Sequence, residues 1–240
     1  MPRTIMFRGK RFTVANETLL MRHGKRKRIT NPAKNALVGL TLEGKRESYE
    51  LGQKMPKDKK LKIYYSTSKR TRQTAHHIHR GFKAAGGRVG PFKRAKATGA
   101  RKELLIPNLF MDNKYAEDEF NKVGRDTTKM IRKWIDGEYD PTKIKSPDDI
   151  SKRMHNRLAL GRRAADRGVT GYRILNVSHD WQILAKLENL IGVKFDKMGF
   201  KSPVPNEAFV IYHTTAGKDI LEYQGKRFDV TSALAKIKTN

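Results

Sequence analysis

Three short clusters in the sequence hold the side chains that phosphoryl chemistry requires: Arg22-His23-Gly24, Ser66 through Arg70, and Ser178-His179-Asp180. A phosphoryl transfer needs a nucleophile, cations for the equatorial oxygens and an acid for the leaving oxygen. A neutral imidazole can be the nucleophile, and neighbouring positive charge keeps it neutral. Arginine is the preferred clamp, because its planar fork meets phosphate with two hydrogen bonds. Arg22, His23, Arg70 and His179 make up that set. His76, His77 and His79 lie together, but no second ligand group accompanies them, so neither a metal nor another cofactor is expected.

Each cluster follows an apolar run that reads as a buried strand: Thr18–Met21, Leu61–Tyr65 and Tyr172–Val177. Helices are expected from Leu42 to about Met55 with Thr41 as N-cap, and from about Lys69 to Phe82 capped by Ser66 and Thr67. Further helices are expected at about Glu117–Asp136 and Pro147–Arg167, and at Trp181–Ile191, closed by Gly192. Two weak strands flank a turn at Arg8–Arg11. Two more, Ala208–His213 and Ile220–Val230, are joined by Ala216–Asp219. This alternation predicts an α/β protein, a three-layer sandwich with a mostly parallel central sheet and helices on both faces. In such sheets ligands sit beyond the carboxyl ends of the strands, so the three clusters should converge on one crevice. Gly-Lys-Arg-Phe occurs at residues 9–12 and again at 225–228, for which chance suffices in so basic a chain.

The charge is far from ordinary. The 240 residues carry a formal +28. Residues 1–110 hold 28 Lys and Arg against 6 Asp and Glu. A small domain usually stays within about 8 charges of zero, and an excess of this size attracts polyanions. Two stretches concentrate it. Lys25-Arg26-Lys27-Arg28 follows His23 and would favour a strongly anionic substrate. Residues 83–102, rich in glycine and basic residues and free of acid, read as an exposed loop inserted into a single domain spanning 1–240. Lys25, Lys27, Arg28, Arg88, Lys93, Arg94, Lys96 and Arg101 are the candidates for contact with a nucleic acid, RNA and possibly the ribosome, through phosphates. Cysteine is absent and no apolar stretch approaches the ~20 residues of a membrane span, so a cytoplasmic protein without a membrane partner is expected.

The clusters resemble the histidine phosphatase superfamily, which includes the cofactor-dependent phosphoglycerate mutases. Leu20-Met21-Arg22-His23-Gly24 is similar to its Arg-His-Gly signature, and Leu40–Gly44 to its Leu-Thr-x-x-Gly helix start. Ser66–Ala75 is similar to its Ser-x-x-x-Arg-x-x-x-Thr-Ala segment. Trp134 and Ile174–His179, followed by Asp180, match its approach to the second histidine. The order holds over about residues 16–225.

The resemblance implies a phosphatase that hydrolyses a phosphomonoester through phosphohistidine at His23, without metal. Arg22, Arg26, Arg70 and His179 would bind the phosphoryl oxygens. Its two branches imply different acids: Glu103, from the position after the second motif, or Asp180, directly after the second histidine, with Asp112 a third choice. Lys25 departs from the mutase-like members, which carry an acid there. The alternative reading is an RNA- or ribosome-associated binding protein that uses the same fold and a basic surface.

Overall fold

The computed structural model describes residues 3–28, 32–90 and 111–235. A seven-stranded sheet forms its centre, in the order β3-β4-β2-β5-β6-β7, with β1 paired to the start of β2. The strands are β1 (Thr4–Phe7), β2 (Lys10–Arg22), β3 (Lys60–Tyr65), β4 (Tyr172–Ser178), β5 (Ala208–Thr214), β6 (Asp219–Tyr223) and β7 (Lys226–Asp229). The helices are α1 (Leu42–Lys54), α2 (Lys69–Ala84), α3 (Asn113–Lys122), α4 (Thr127–Ile135), α5 (Pro147–Leu158), α6 (Leu160–Asp166), α7 (Asp180–Ile191) and α8 (Thr231–Ala235), with a 3-10 helix at Pro32–Leu37.

The α/β sandwich is the expected one, and its sheet is mixed. β3, β4 and β2 are parallel, joined by helical crossovers. β5 runs antiparallel to β2, and β6 and β7 follow it antiparallel, because the β5–β6 and β6–β7 connections are too short to cross over. Side chains alternate along β2. Leu19 and Met21 pack with Ile63, Ile78 and Phe82 under α2, and Leu20 packs with Ile150, Ile183 and Leu184 on the opposite face. Burial on both faces is what makes the strand read as an unbroken apolar run.

Several elements differ from expectation. The helix expected over Glu117–Asp136 is two helices. Gly124 and Arg125 both take positive φ, and Asp126 caps the second by accepting from Thr128 N and Lys129 N. The 147–167 helix is divided at Ala159. Ser68, not Ser66 or Thr67, caps α2. The C-terminal strands number three, the last pair turning at Gln224-Gly225 with positive φ at both residues. Arg8-Gly9 makes the same turn between β1 and β2, so each Gly-Lys-Arg-Phe sits at the start of a hairpin's second strand.

The expected 83–102 loop starts later than Lys83. α2 continues through Ala84, and residues 88–90 pair with the edge of β3, Leu61 N donating to Arg88 O (2.9 Å) and Gly90 N to Leu61 O (2.8 Å). Residues 91–102 lie outside the described residues. Among the described residues, no helix is long and apolar enough to cross a membrane.

Candidate active site

Strand register brings the clusters together. Arg22 pairs with Ser178 across β2 and β4, and Tyr65 with Val177 across β3 and β4. The backbone continues the pattern past the strand ends: His23 N donates to Ser178 O (3.1 Å) and Ser66 N to Val177 O (3.1 Å). Three parallel strands therefore deliver His23, Ser66 and His179 side by side at one edge of the sheet. Two helix N-termini, those of α2 and α7, open at the same edge, where their unpaired N–H groups favour an anion.

His23 is almost fully buried, with 4% of its surface exposed. Its Nδ1 lies 2.8 Å from the Gly24 carbonyl oxygen. A carbonyl only accepts, so Nδ1 carries the proton and the lone pair is on Nε2. Arg70 Nε donates to that Nε2 at 3.1 Å. Burial, and then the charge of Arg70, push the His23 pKa down to about 3, so the ring is neutral at ordinary pH.

Arg70 is the hub of the crevice. Besides His23, its guanidinium reaches His179 Nδ1 (3.3 Å), and it donates to Asn35 O (2.7 Å) and Asn35 Oδ1 (3.0 Å). Burial and the nearby Arg26 lower its pKa to about 10, which leaves it charged at neutral pH. Since His179 Nδ1 accepts, Nε2 carries the proton and donates to Ser66 Oγ at 3.1 Å. Ser66 Oγ–H donates in turn to Thr71 Oγ1 (2.9 Å). His179 is held well below its ordinary pKa by burial and then by Arg70. The two imidazoles meet edge to face, 5.2 Å between centroids.

Arg22 is held from two sides. Its Nη2 pairs with Asp180 Oδ2 (2.9 Å), and Nη1 donates to the Pro203 carbonyl (2.6 Å). Its Nε is buried and has no hydrogen-bond partner among the described residues. Asp180 Oδ1 accepts from Trp181 N (3.1 Å), so both of its oxygens are engaged. Arg26 is exposed at the mouth, and its charge acts on His23, His179 and Arg70.

The loop that carries His23 is fixed by close packing. A Cβ at Gly44, at the start of α1, would overlap the Lys25 backbone, and one at Gly24 would come within 2.7 Å of Ser48 Oγ. Gly24 N donates to Thr74 Oγ1 (2.9 Å), which donates in turn to Arg70 O (2.9 Å). This is a physical reason for the glycine in Leu40–Gly44 and for Thr74 four residues after Arg70.

Of the sequence-predicted residues, Arg22, His23, Arg70, His179 and Asp180 share one crevice. Lys25 faces away from it, paired to Glu43 at 2.5 Å. Lys27 and Arg28 are exposed beside the mouth, and Arg88 is exposed on the β3 edge. Glu103, Lys93, Arg94, Lys96 and Arg101 lie outside the described residues. Asp112 caps α3 through Lys114 N and Tyr115 N and pairs with Lys143 at 3.3 Å. Asn35 and the Pro203 carbonyl are the contacts that sequence reasoning missed; Ser66 and Thr74 stand in the quoted motif, but their contacts with His179 and Gly24 were not foreseen.

A sequence profile of the histidine phosphatase superfamily (branch 1) matches residues 18–86, which include His23 and Arg70. Over those residues the chain is similar to the histidine phosphatase superfamily. Solved structures carry the same fold over most of its length. A phosphoglycerate mutase from Bacillus anthracis str. Sterne is 20% identical with a TM-score of 0.53, covering 92% of this chain and 97% of its own. The mycobacterial glucosyl-3-phosphoglycerate phosphatase, in complex with inorganic phosphate, is 16% identical with a TM-score of 0.55, covering 88% and 98%. The phosphoserine phosphatase from Entamoeba histolytica, in complex with 3-phosphoglyceric acid, is 18% identical with a TM-score of 0.52, covering 88% and 97%. No curated protein matches this chain by sequence.

Proposed function

We propose that this protein is a histidine phosphatase that hydrolyses a phosphomonoester of an anionic substrate through a phosphohistidine at His23. One observation carries the reading. The Nδ1–H of His23 is committed to the Gly24 carbonyl, which leaves the Nε2 lone pair facing the Arg70 guanidinium, with His179 alongside. A nucleophilic lone pair and the cations that hold phosphate thus meet at one point.

In the proposed reaction a phosphoryl group takes the place opposite Nε2. Its oxygens accept from Arg70 and from the otherwise unpartnered Nε of Arg22, with the His179 ring alongside. Attack by Nε2 forms the N–P bond as the bond to the ester oxygen breaks. An acid protonates that oxygen. Asp180 is poorly disposed for this, because a guanidinium and a backbone N–H occupy its oxygens. Glu103 is the better choice by elimination. Water then attacks phosphorus, gives its proton to the carboxylate just formed, and returns the N–P electron pair to Nε2 as inorganic phosphate leaves. The chain supplies its own cations for the spreading charge, so metal is not required. Arg26, with Lys27 and Arg28 beyond it, favours substrates with charge in excess of one phosphate.

The test is hydrolysis of an aryl phosphate by wild type and His23→Ala in the presence of a chelator. Intact-mass analysis after a rapid quench would look for phosphorylated protein. Turnover by wild type, a dead His23→Ala and a phosphoprotein that disappears on standing are expected. No turnover by wild type between about pH 5 and pH 8, where an unperturbed histidine would titrate, removes the reading. A phosphoprotein that transfers only to a second substrate, never to water, makes it a mutase instead.

A further inference from the structure

A second surface stands apart from the crevice. Helix α2 has the sequence KRTRQTAHHIHRGFKA and contains no acidic residue. The acid-free stretch extends well beyond it: residues 59–102 contain neither Asp nor Glu. At about 100° per residue, Lys69, Arg72, His76, His79, Arg80 and Lys83 fall within an arc of roughly 100° on one side of the helix. The other side, with Ala75, Ile78 and Phe82, is buried on the sheet. Lys69, Arg72, Arg80 and Lys83 are exposed and form no ion pair among the described residues.

The stripe continues at both ends. Beyond Lys83 the chain turns back to the β3 edge, where Arg88 is exposed. At the N-terminal end, Gln73 Oε1 accepts from Leu40 N (2.8 Å), and Leu40 bridges to Arg26. That contact sets the Arg26–Arg28 loop beside the first turns of α2.

We propose that the outer face of α2, from Lys69 through Lys83 to Arg88, binds the phosphate backbone of a nucleic acid. The length of the stripe argues for a polymer. Lys69 to Lys83 spans about 21 Å of helix, some six phosphates at about 3.4 Å per strand position, and far more than a small anion covers. The alternative polyanion, an acidic membrane surface, does not fit. A helix lying on lipid inserts an apolar face; α2 has spent its apolar face on the core, and none of the exposed large apolar residues belongs to it. The contacts are to phosphate, so the binding is insensitive to base sequence. The proposal stands independently of the chemistry at His23.

The experiment is fluorescence anisotropy of a labelled single-stranded RNA and of a duplex DNA against salt. Full-length wild type is compared with Arg72→Glu/Arg80→Glu/Lys83→Glu. Five phosphate contacts give a slope of log affinity on log salt of about −3.5 for a single strand and about −4.5 for B-DNA. Removing three leaves a slope of roughly −1.5 on the single strand, with affinity at low salt reduced at least tenfold. The neutral Arg72→Gln/Arg80→Gln/Lys83→Gln variant, which keeps the helix without reversing charge, is expected to fall between the two. Unchanged affinity in both triple variants overturns the proposal. So does capture of anionic phospholipid vesicles by wild type with no measurable binding to either oligonucleotide.

Discussion

Replacing Arg70 with Gln tests the electrostatics of the crevice at a single atom pair. Arg70 Nε lies 3.1 Å from His23 Nε2. Two unit charges about 4 Å apart interact by about 4 kcal/mol at an effective dielectric of about 20, or about three pK units. That is an upper bound on Arg70's part. The His23 pKa falls from 6.5 to about 3, and burial is the larger cause. Arg70's share is therefore roughly one to two units. In Arg70→Gln, His23 is expected to titrate at about 4 to 5, still below an ordinary histidine, because burial and the charges of Arg22 and Arg26 remain.

The assay is the pH dependence of the His23 Cε1–H resonance, assigned by its loss in His23→Gln. The sign of the linked stability follows. An unfolded His23 takes up a proton near 6.5 and the folded one only near 3. Below pH 6.5 the unfolded state therefore binds more protons. Stability falls as pH drops toward 3, by at most about 1.4 kcal/mol per unit from this group. Arg70→Gln narrows that window from its lower end. In kinetics, loss of the phosphoryl-oxygen donor proposed at Arg70 is expected to lower kcat/KM by roughly 10²–10³. A wild-type His23 that titrates near 6.5, or one that Arg70→Gln leaves in place, refutes the account of the site.

Three further outcomes are expected. Gly44→Ala forces a Cβ onto the Lys25 backbone; it should cost about 1–3 kcal/mol in urea unfolding and lower kcat as the His23 loop shifts. Asp180→Asn breaks the pair with Arg22 and should slow aryl and alkyl phosphates alike, whereas Glu103→Gln should slow alkyl phosphates selectively, because only a poor leaving group needs the proton. Lys186 is fully buried, donates to His155 Nδ1 (3.2 Å) and Asn189 Oδ1 (2.8 Å), and has its pKa lowered by burial to about 7. From pH 7 up toward 10.5 the unfolded state therefore holds the extra proton, and wild type gains up to about 1.4 kcal/mol per pH unit; in Lys186→Met that gain should be absent when unfolding is compared at two pH values inside the window.

What could be read from the sequence was the part in which residue type and position coincide. His23 and His179 stand immediately after apolar runs, and a parallel strand end is where a ligand meets the sheet. Arg70 follows a third such run and is the second residue of a helix, so its place in the crevice needed only the strand and the helix start. The C-terminal half was legible in part. Ala216–Asp219 reads as a hairpin turn, but Gln224-Gly225 lay inside what reads as one strand, since Gln is unusual at positive φ and a single glycine alone marks the turn.

The rest of the site depends on partners that leave no mark in the sequence. The Nδ1 proton of His23 is placed by a backbone carbonyl, and Arg22 by another at Pro203. Any residue supplies a carbonyl, so no choice of amino acid betrays either contact. Asn35 holds Arg70 through its own backbone oxygen as well as its side chain. The α2 surface was hidden for the opposite reason. Its cations are conspicuous as types, but three histidines among them draw attention to metal, and only the helix shows that His76 and His79 share one face with Lys69, Arg72, Arg80 and Lys83, while His77 does not. The same helix thus serves two purposes with separate residues: its N-cap and Arg70 face the crevice, while its outer stripe faces solvent. A change on one side is therefore expected to be felt on the other only through the long-range field, which falls away over about 8 Å at physiological salt.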